Sequence, residues 1–156
     1  MPKEIYIDEN GNERILSSSP SALSGLLDTD ITTPSANQVL AYDGSKWGNT
    51  YPYNYSTTEK AVGTWTDGKT IYKKTIDCGN LPNNTSKNVN HNISNIDRII
   101  TFEAMATGTN SFLPVPFIGA NNYVAINFSN VDIYLATNTD RSGYYLYITM
   151  YYTKSA

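Results

Sequence analysis

The sequence predicts an all-β protein: an antiparallel β-sandwich, jelly-roll-like in the broad sense, preceded by an extended, turn-rich N-terminal arm. Three observations carry that expectation. From residue 62 onward, short runs rich in Val, Ile, Thr, Tyr and Phe alternate with Gly, Asn, Asp, Ser and Pro, the spacing of sandwich strands. No segment sustains a helical period of apolar residues. Only 16% of the 156 residues are charged while 13 are tyrosine, the composition of strands joined by polar, hydrogen-bonding loops.

The chain divides near residue 55, into an arm over 1–55 and a sandwich domain over 56–156. Turn signals break up the arm: Asn10-Gly11 between Ile5-Tyr6-Ile7 and Arg14-Ile15-Leu16, then Ser17 to Pro20, Thr33-Pro34 and Asp43-Gly44. Text so interrupted cannot build its own core. It nevertheless carries Leu23, Leu26, Leu27, Ile31, Val39, Leu40, Tyr42 and Trp47, too many apolar residues for a disordered linker. We read these as a surface that packs on something else, most simply on further copies of the chain. Gln38 to Asn49 predicts a small hairpin about Asp43-Gly44.

In the second part, Val62–Thr66 and Lys69–Ile76 flank Asp67-Gly68, which predicts a hairpin with a tight two-residue loop. Lys73 and Lys74 leave the second arm without a continuous apolar face and suit a strand near a sheet edge. Strands follow over Ile96–Ala106, Phe112–Ile118, Tyr123–Phe128, Val131–Ala136 and Tyr144–Tyr152, with Pro114 and Pro116 placing their segment at an edge or bend. Alternation puts Val124, Ile126, Phe128, Val131, Ile133 and Leu135 inward, and Tyr123, Asn127, Asp132 and Tyr134 opposite. In the last strand Tyr144, Leu146, Ile148, Met150 and Tyr152 form a core face. Tyr145, Tyr147, Thr149, Tyr151 and Thr153 form the other, suited to a subunit interface, to packing on a second sheet or to stacking on sugars.

A net charge of -3 with 11 scattered Lys and Arg gives no footprint for nucleic acid. No run approaches the roughly 18 apolar residues of a membrane span, and Met1 to Tyr6 lacks the apolar core of a secretory signal, so the expected product is soluble and made inside the cell. Cys78 is the lone cysteine and is expected to be a small buried residue. Neither a cofactor motif nor a metal-binding spacing occurs. Asp28-Thr29-Asp30 lacks the glycine and further oxygens of a calcium loop and is expected to serve a turn or helix cap. His91, the only histidine, lies in an Asn-rich loop and is expected to face solvent, which leaves no base for a nucleophilic triad. Glu59 and Glu103 form a hydrolase pair only as any two carboxylates would. A binding protein, not an enzyme, is the expectation.

Binding residues are sought in polar loops mounted on a rigid sandwich: Asn80–Asn95, Thr107–Ser111, Gly119–Asn122 and Thr137–Gly143. Planar hydrogen-bonding side chains beside tyrosine suit sugar hydroxyls and ring faces. Asn121, Asn122, Asp140, Arg141 and Tyr144 are therefore the candidate ligand cluster, and turn formation is the competing role for the same residues.

Leu26 to Asn49, LLDTDITTPSANQVLAYDGSKWGN, resembles a connector in phage and prophage fibre proteins, where a V-L-x-Y-D-x-x-x-W phrase follows a D-V-x-I-x-x-P phrase. Asp30, Ile31, Pro34, Val39, Leu40, Tyr42, Asp43 and Trp47 occupy those places. Ser56 to Ile76 resembles the opening of the head domain that often follows. The resemblance spans about a third of the chain, and no long shaft, collagen run or heptad repeat accompanies it. It implies a homotrimeric virion appendage on tail or capsid, attached to other virion proteins by the arm, whose head adheres to a host or environmental surface glycan. The interface it implies draws on Leu26, Leu27, Ile31, Val39, Leu40, Tyr42 and Trp47, with Tyr145, Tyr147 and Tyr151. A purely structural capsid or tail decoration and a monomeric carbohydrate-binding module are the competing classes.

Overall fold

The computed structural model describes residues 5–7, 9–15 and 27–155. The chain divides into two compact units, Met1–Asn54 and Tyr55–Ala156. Among the described residues there is no helix, and the sheets are antiparallel apart from one short parallel pair.

In the first unit, β1 (Ile5–Ile7) and β2 (Glu13–Ile15) form a hairpin whose turn carries Gly11 at φ +78°. β3 (Thr29–Asp30), β4 (Val39–Tyr42) and β5 (Trp47–Thr50) make a three-stranded sheet in the order β3-β5-β4, with β3 parallel to β5. Asp28 therefore lies in a turn, the first of its two expected roles, and leads into β3, its carbonyl accepting from Trp47 N at 2.8 Å. At the β4–β5 turn the Asp43 carboxylate accepts from the backbone N–H groups of Ser45 and Lys46, which holds its carboxyl below the usual range. Asn49 pairs both ways with the backbone of Thr32 and donates to Gln38, which in turn accepts from Ser35 N. Two amide side chains thus fold the Thr32–Gln38 loop back onto β5.

The second unit holds β6 (Lys60–Thr64), β7 (Thr70–Asn80), β8 (Ser86–Asn90), β9 (Ile96–Thr107), β10 (Phe112–Pro114), β11 (Phe117–Ile118), β12 (Tyr123–Phe128), β13 (Asp132–Thr137) and β14 (Tyr145–Lys154). They form a five-stranded sheet, β10-β9-β14-β7-β6, and a four-stranded sheet, β11-β12-β13-β8. Ile76, Ala106, Leu146, Ile148, Met150 and Tyr152 of the first share one buried cluster with Val124, Ile133 and Leu135 of the second. Phe102 of β9 meets Phe128 of β12 at 4.8 Å between ring centroids. Each fully buried aliphatic side chain there contributes about 2 kcal/mol. This is the packing of a sandwich. The jelly-roll qualifier is not confirmed, since β6–β7, β9–β10 and β11–β12–β13 each stay within one sheet.

Several local expectations change. The β6–β7 loop has three residues, Thr66 to Gly68: Gly68 N donates to Trp65 O at 2.9 Å, Trp65 N to Lys69 O at 2.8 Å, and Gly68 sits at φ +87°. That is a type I turn closed by a left-handed glycine. β7 does lie near the sheet edge, one strand in, between β14 and the edge strand β6. Its lysines are structural: Lys73 is buried with its ammonium 4.0 Å from the Tyr55 ring centroid, and Lys74 donates to the carbonyls of His91 and Asn92. The Asn80–Asn95 segment contains β8, which pairs with β13 through Asn90↔Asp132 to Ser86↔Ala136. With Val89 as its one apolar residue, it has no strand signature to read. The Phe112–Ile118 segment does lie at the edges, as two strands in different sheets. Val131 is exposed, because it falls in the turn that precedes β13.

Candidate functional site

Four polar loops meet at one end of the sandwich. Asn138, just after β13, accepts from Tyr123 N at 2.7 Å and donates to Asn121 O at 3.2 Å, tying the β13–β14 loop to the β11–β12 loop. Arg141 N donates to Pro82 O and Asn80 Nδ2 to Ser142 O, tying it to the β7–β8 loop. Ser111 Oγ donates to the Tyr144 hydroxyl at 2.9 Å, adding the β9–β10 turn. Two glycines allow the close approach: a Cβ on Gly108 would lie 3.1 Å from the Tyr144 ring, and one on Gly119 would lie 2.5 Å from Asn122 Oδ1 and 3.2 Å from the Phe117 ring.

This geometry brings Asn122, Arg141 and Tyr144 together around Phe117, which the sequence reading did not select. The Arg141 guanidinium is 5.9 Å from the Phe117 ring centroid and 5.8 Å from that of Tyr144. Among the described residues it has no carboxylate partner and no side-chain hydrogen bond. Among the described residues, the buried side-chain atoms without a hydrogen-bond partner are Asn122 Oδ1, Thr139 Oγ1 and Arg141 Nε, all in these loops. Asp140 turns the other way: its carboxylate accepts from both the N–H and the hydroxyl of Ser142, which holds it below the usual range. Asn121 is exposed and contributes its carbonyl to the Asn138 tie.

A second concave region lies on the outer face of the five-stranded sheet. Register places Tyr147 of β14 between Asp77 of β7 and Met105 of β9, and Thr149 between Thr75 and Glu103. Tyr55, Ser56 and Thr57 wall this groove, which has a volume of about 660 Å³, and Thr75 N anchors the wall by donating to Ser56 O at 2.8 Å. Glu103 accepts from the hydroxyls of Tyr55 at 3.1 Å and Tyr151 at 3.3 Å. Tyr145 donates to Asp77 at 2.9 Å, which pushes its phenol up to about 12. Of the three roles open to this face, packing on the second sheet does not occur, because the four-stranded sheet covers the opposite face through Leu146, Ile148 and Met150. Tyr145 and Tyr147 are exposed and Tyr151 is half-buried.

The expected interface residues of the first unit are placed as follows. Val39, Leu40, Tyr42 and Trp47 are exposed on the β4–β5 hairpin, with the Tyr42 and Trp47 rings 5.4 Å apart. Leu27 is 98% exposed and Ile31 half-buried, while Leu26 lies outside the described residues.

His91 does not face solvent. It is 1% exposed, its Nδ1 accepts from Ile93 N at 3.1 Å, and Nε2 faces Ser129 O at 3.3 Å. An asparagine-rich context concealed a histidine that folds its own loop. Glu59 and Glu103 serve different networks, Glu59 accepting from Tyr152 at 2.6 Å and from Lys154 at 2.8 Å. Cys78 is buried, and burial pushes its thiol up to about 12, so thiolate chemistry is suppressed there. No helix among the described residues is long and apolar enough to cross a membrane, and no group of metal-ligating side chains assembles among them. Comparison with protein-family models, curated proteins and solved structures finds no match to this chain.

Proposed function

We propose that this chain is a homotrimeric virion fibre protein whose second unit is an adhesive head that binds a host or environmental surface glycan without turning it over. The observation that carries the reading is the loop end around Arg141: four polar loops fixed by mutual hydrogen bonds, with a guanidinium held between two rings and, among the described residues, without a polar partner. Such a side chain is pre-oriented for planar hydrogen bonding to sugar oxygens, and its ordering cost is met before the ligand arrives. The exposed Val39, Leu40, Tyr42 and Trp47 of the first unit supply an apolar surface for assembly or virion docking. Three weak sites on one assembly raise adhesion through effective concentration.

The test is binding of the labelled full chain to an immobilised glycan panel, with its solution mass measured alongside. Arg141→Ala is expected to lower binding about tenfold with unchanged circular dichroism, the loss of one charged hydrogen-bonding group. A panel on which nothing binds, together with tight docking to virions, would instead make the protein a structural decoration.

A further inference from the structure

We propose that the groove on the outer face of the five-stranded sheet is a second site, which takes a neutral pyranose ring stacked on Tyr147 with its hydroxyls bonded to Glu103 and to the Thr75–Thr149 pair. The inference rests on the reading above that this unit binds saccharide, but it concerns residues that the loop end does not use.

The polar complement of the groove is specific. Both Glu103 oxygens are already held by phenol donors, Oε2 by Tyr55 and Oε1 by Tyr151, so the carboxylate is fixed in place while each oxygen keeps a lone pair free. The hydroxyls of Thr75 and Thr149 lie 2.9 Å apart and share one of their two protons. Among the described residues the other proton has no acceptor. The floor thus offers carboxylate acceptors beside one hydroxyl donor, the complement of a vicinal diol, in which one hydroxyl donates and its neighbour accepts. Tyr147 supplies the stacking surface: it is 51% exposed and tilted against Tyr145 at 5.3 Å, and the Met105 side chain beside it is equally open. A groove of about 660 Å³ accommodates one or two sugar rings.

Charge selects among occupants. Glu103 and Asp77 both belong to this face, and the cation nearest Glu103's partners, Lys73, is buried against the Tyr55 and Tyr151 rings at 4.0 and 5.4 Å. An acidic sugar would bring like charge to two carboxylates. A second copy of the chain packed here would strip water from both carboxylates. Sugar hydroxyls satisfy the same lone pairs without that cost.

Saturation-transfer NMR on the full chain tests this, using N-acetylglucosamine, galactose, mannose and cellobiose as neutral probes and glucuronate as the acidic one. At least one neutral probe is expected to show transfer, with glucuronate weaker. Tyr147→Ala and Glu103→Gln are each expected to weaken the effect about tenfold, the loss of one ring contact or one charged acceptor. Absence of transfer from every neutral probe, equal transfer from glucuronate, or transfer indifferent to Tyr147→Ala would each overturn the site. A drop in solution mass on Tyr147→Ala would also overturn it and make this face an interface between copies. Saturation transfer that Arg141→Ala removes and Tyr147→Ala leaves intact sinks the groove and leaves the adhesive function standing; a chain that binds no glycan in either assay sinks both.

Discussion

Three side chains in the second unit show how burial assigns roles to polar residues. Lys73 sets its ammonium against two tyrosine rings, His91 spends both ring nitrogens on its own loop and on Ser129, and Glu59 is bonded by Tyr152 and Lys154. For Glu59, burial alone would raise the carboxyl, but the hydrogen bonds from Lys154 and Tyr152 outweigh it and hold the group below its ordinary 4.5. A carboxyl lowered on folding stabilises the native state above its unfolded value and loses that contribution as pH falls through the folded value. Glu59→Gln is therefore expected to lower the melting temperature at pH 7, with the gap to wild type closing below about pH 4. Thermal melts followed by circular dichroism from pH 7 to pH 3 check this, and a gap constant across that range would show that the ion pair contributes nothing.

Among the elements, hairpins are set by their turns. Gly68 and Gly44 lie at φ +87° and +102°, the left-handed region that a Cβ disfavours. Neither has an atom within 4 Å of a would-be Cβ, so substitution strains the backbone alone. Gly68→Ala is expected to cost about 1 kcal/mol, measured by urea denaturation, and a neutral outcome would mean that the loop can adopt another turn. At the far end of β7 the ladder to β14 shifts register between Leu146 and Tyr147, beside Gly79 at φ +63°. That shift sets Tyr147 opposite Asp77 and so fixes which carboxylate neighbours the groove.

For the whole molecule, the cores of the two units differ in kind. The buried cluster draws only on residues of Tyr55–Ala156, whereas none of the buried hydrophobic side chains among the described residues belongs to Met1–Asn54. A chain of residues 55–156 is expected to melt cooperatively on its own, and residues 1–54 alone are expected to show no cooperative transition. Finding the short piece folded and monomeric would remove the need for assembly through it. Light scattering across concentrations measures the related quantity, a persistent mass near three times 17.3 kDa for the full chain being the expected outcome.

From the sequence alone, strand after strand could be read, because alternation in Tyr123–Phe128 and Tyr145–Lys154 is a local record of which face is buried. The loops that meet around Arg141 were also legible as polar segments between strands. What only the tertiary structure decided is pairing and proximity. β14 inserts between β7 and β9, and Lys73, opposite Tyr151 on the outer face, is buried against the Tyr55 ring. Phe117 comes to Arg141, and Tyr55 to Glu103 across 48 positions of sequence. β8 exists because β13 offers it a ladder, not because Ser86–Asn90 prefers extension. Periodicity reports what a segment does to its own two faces; which strand lies beside it, and therefore which side chains share a site, is settled only when distant segments compete for the same edge and the same core.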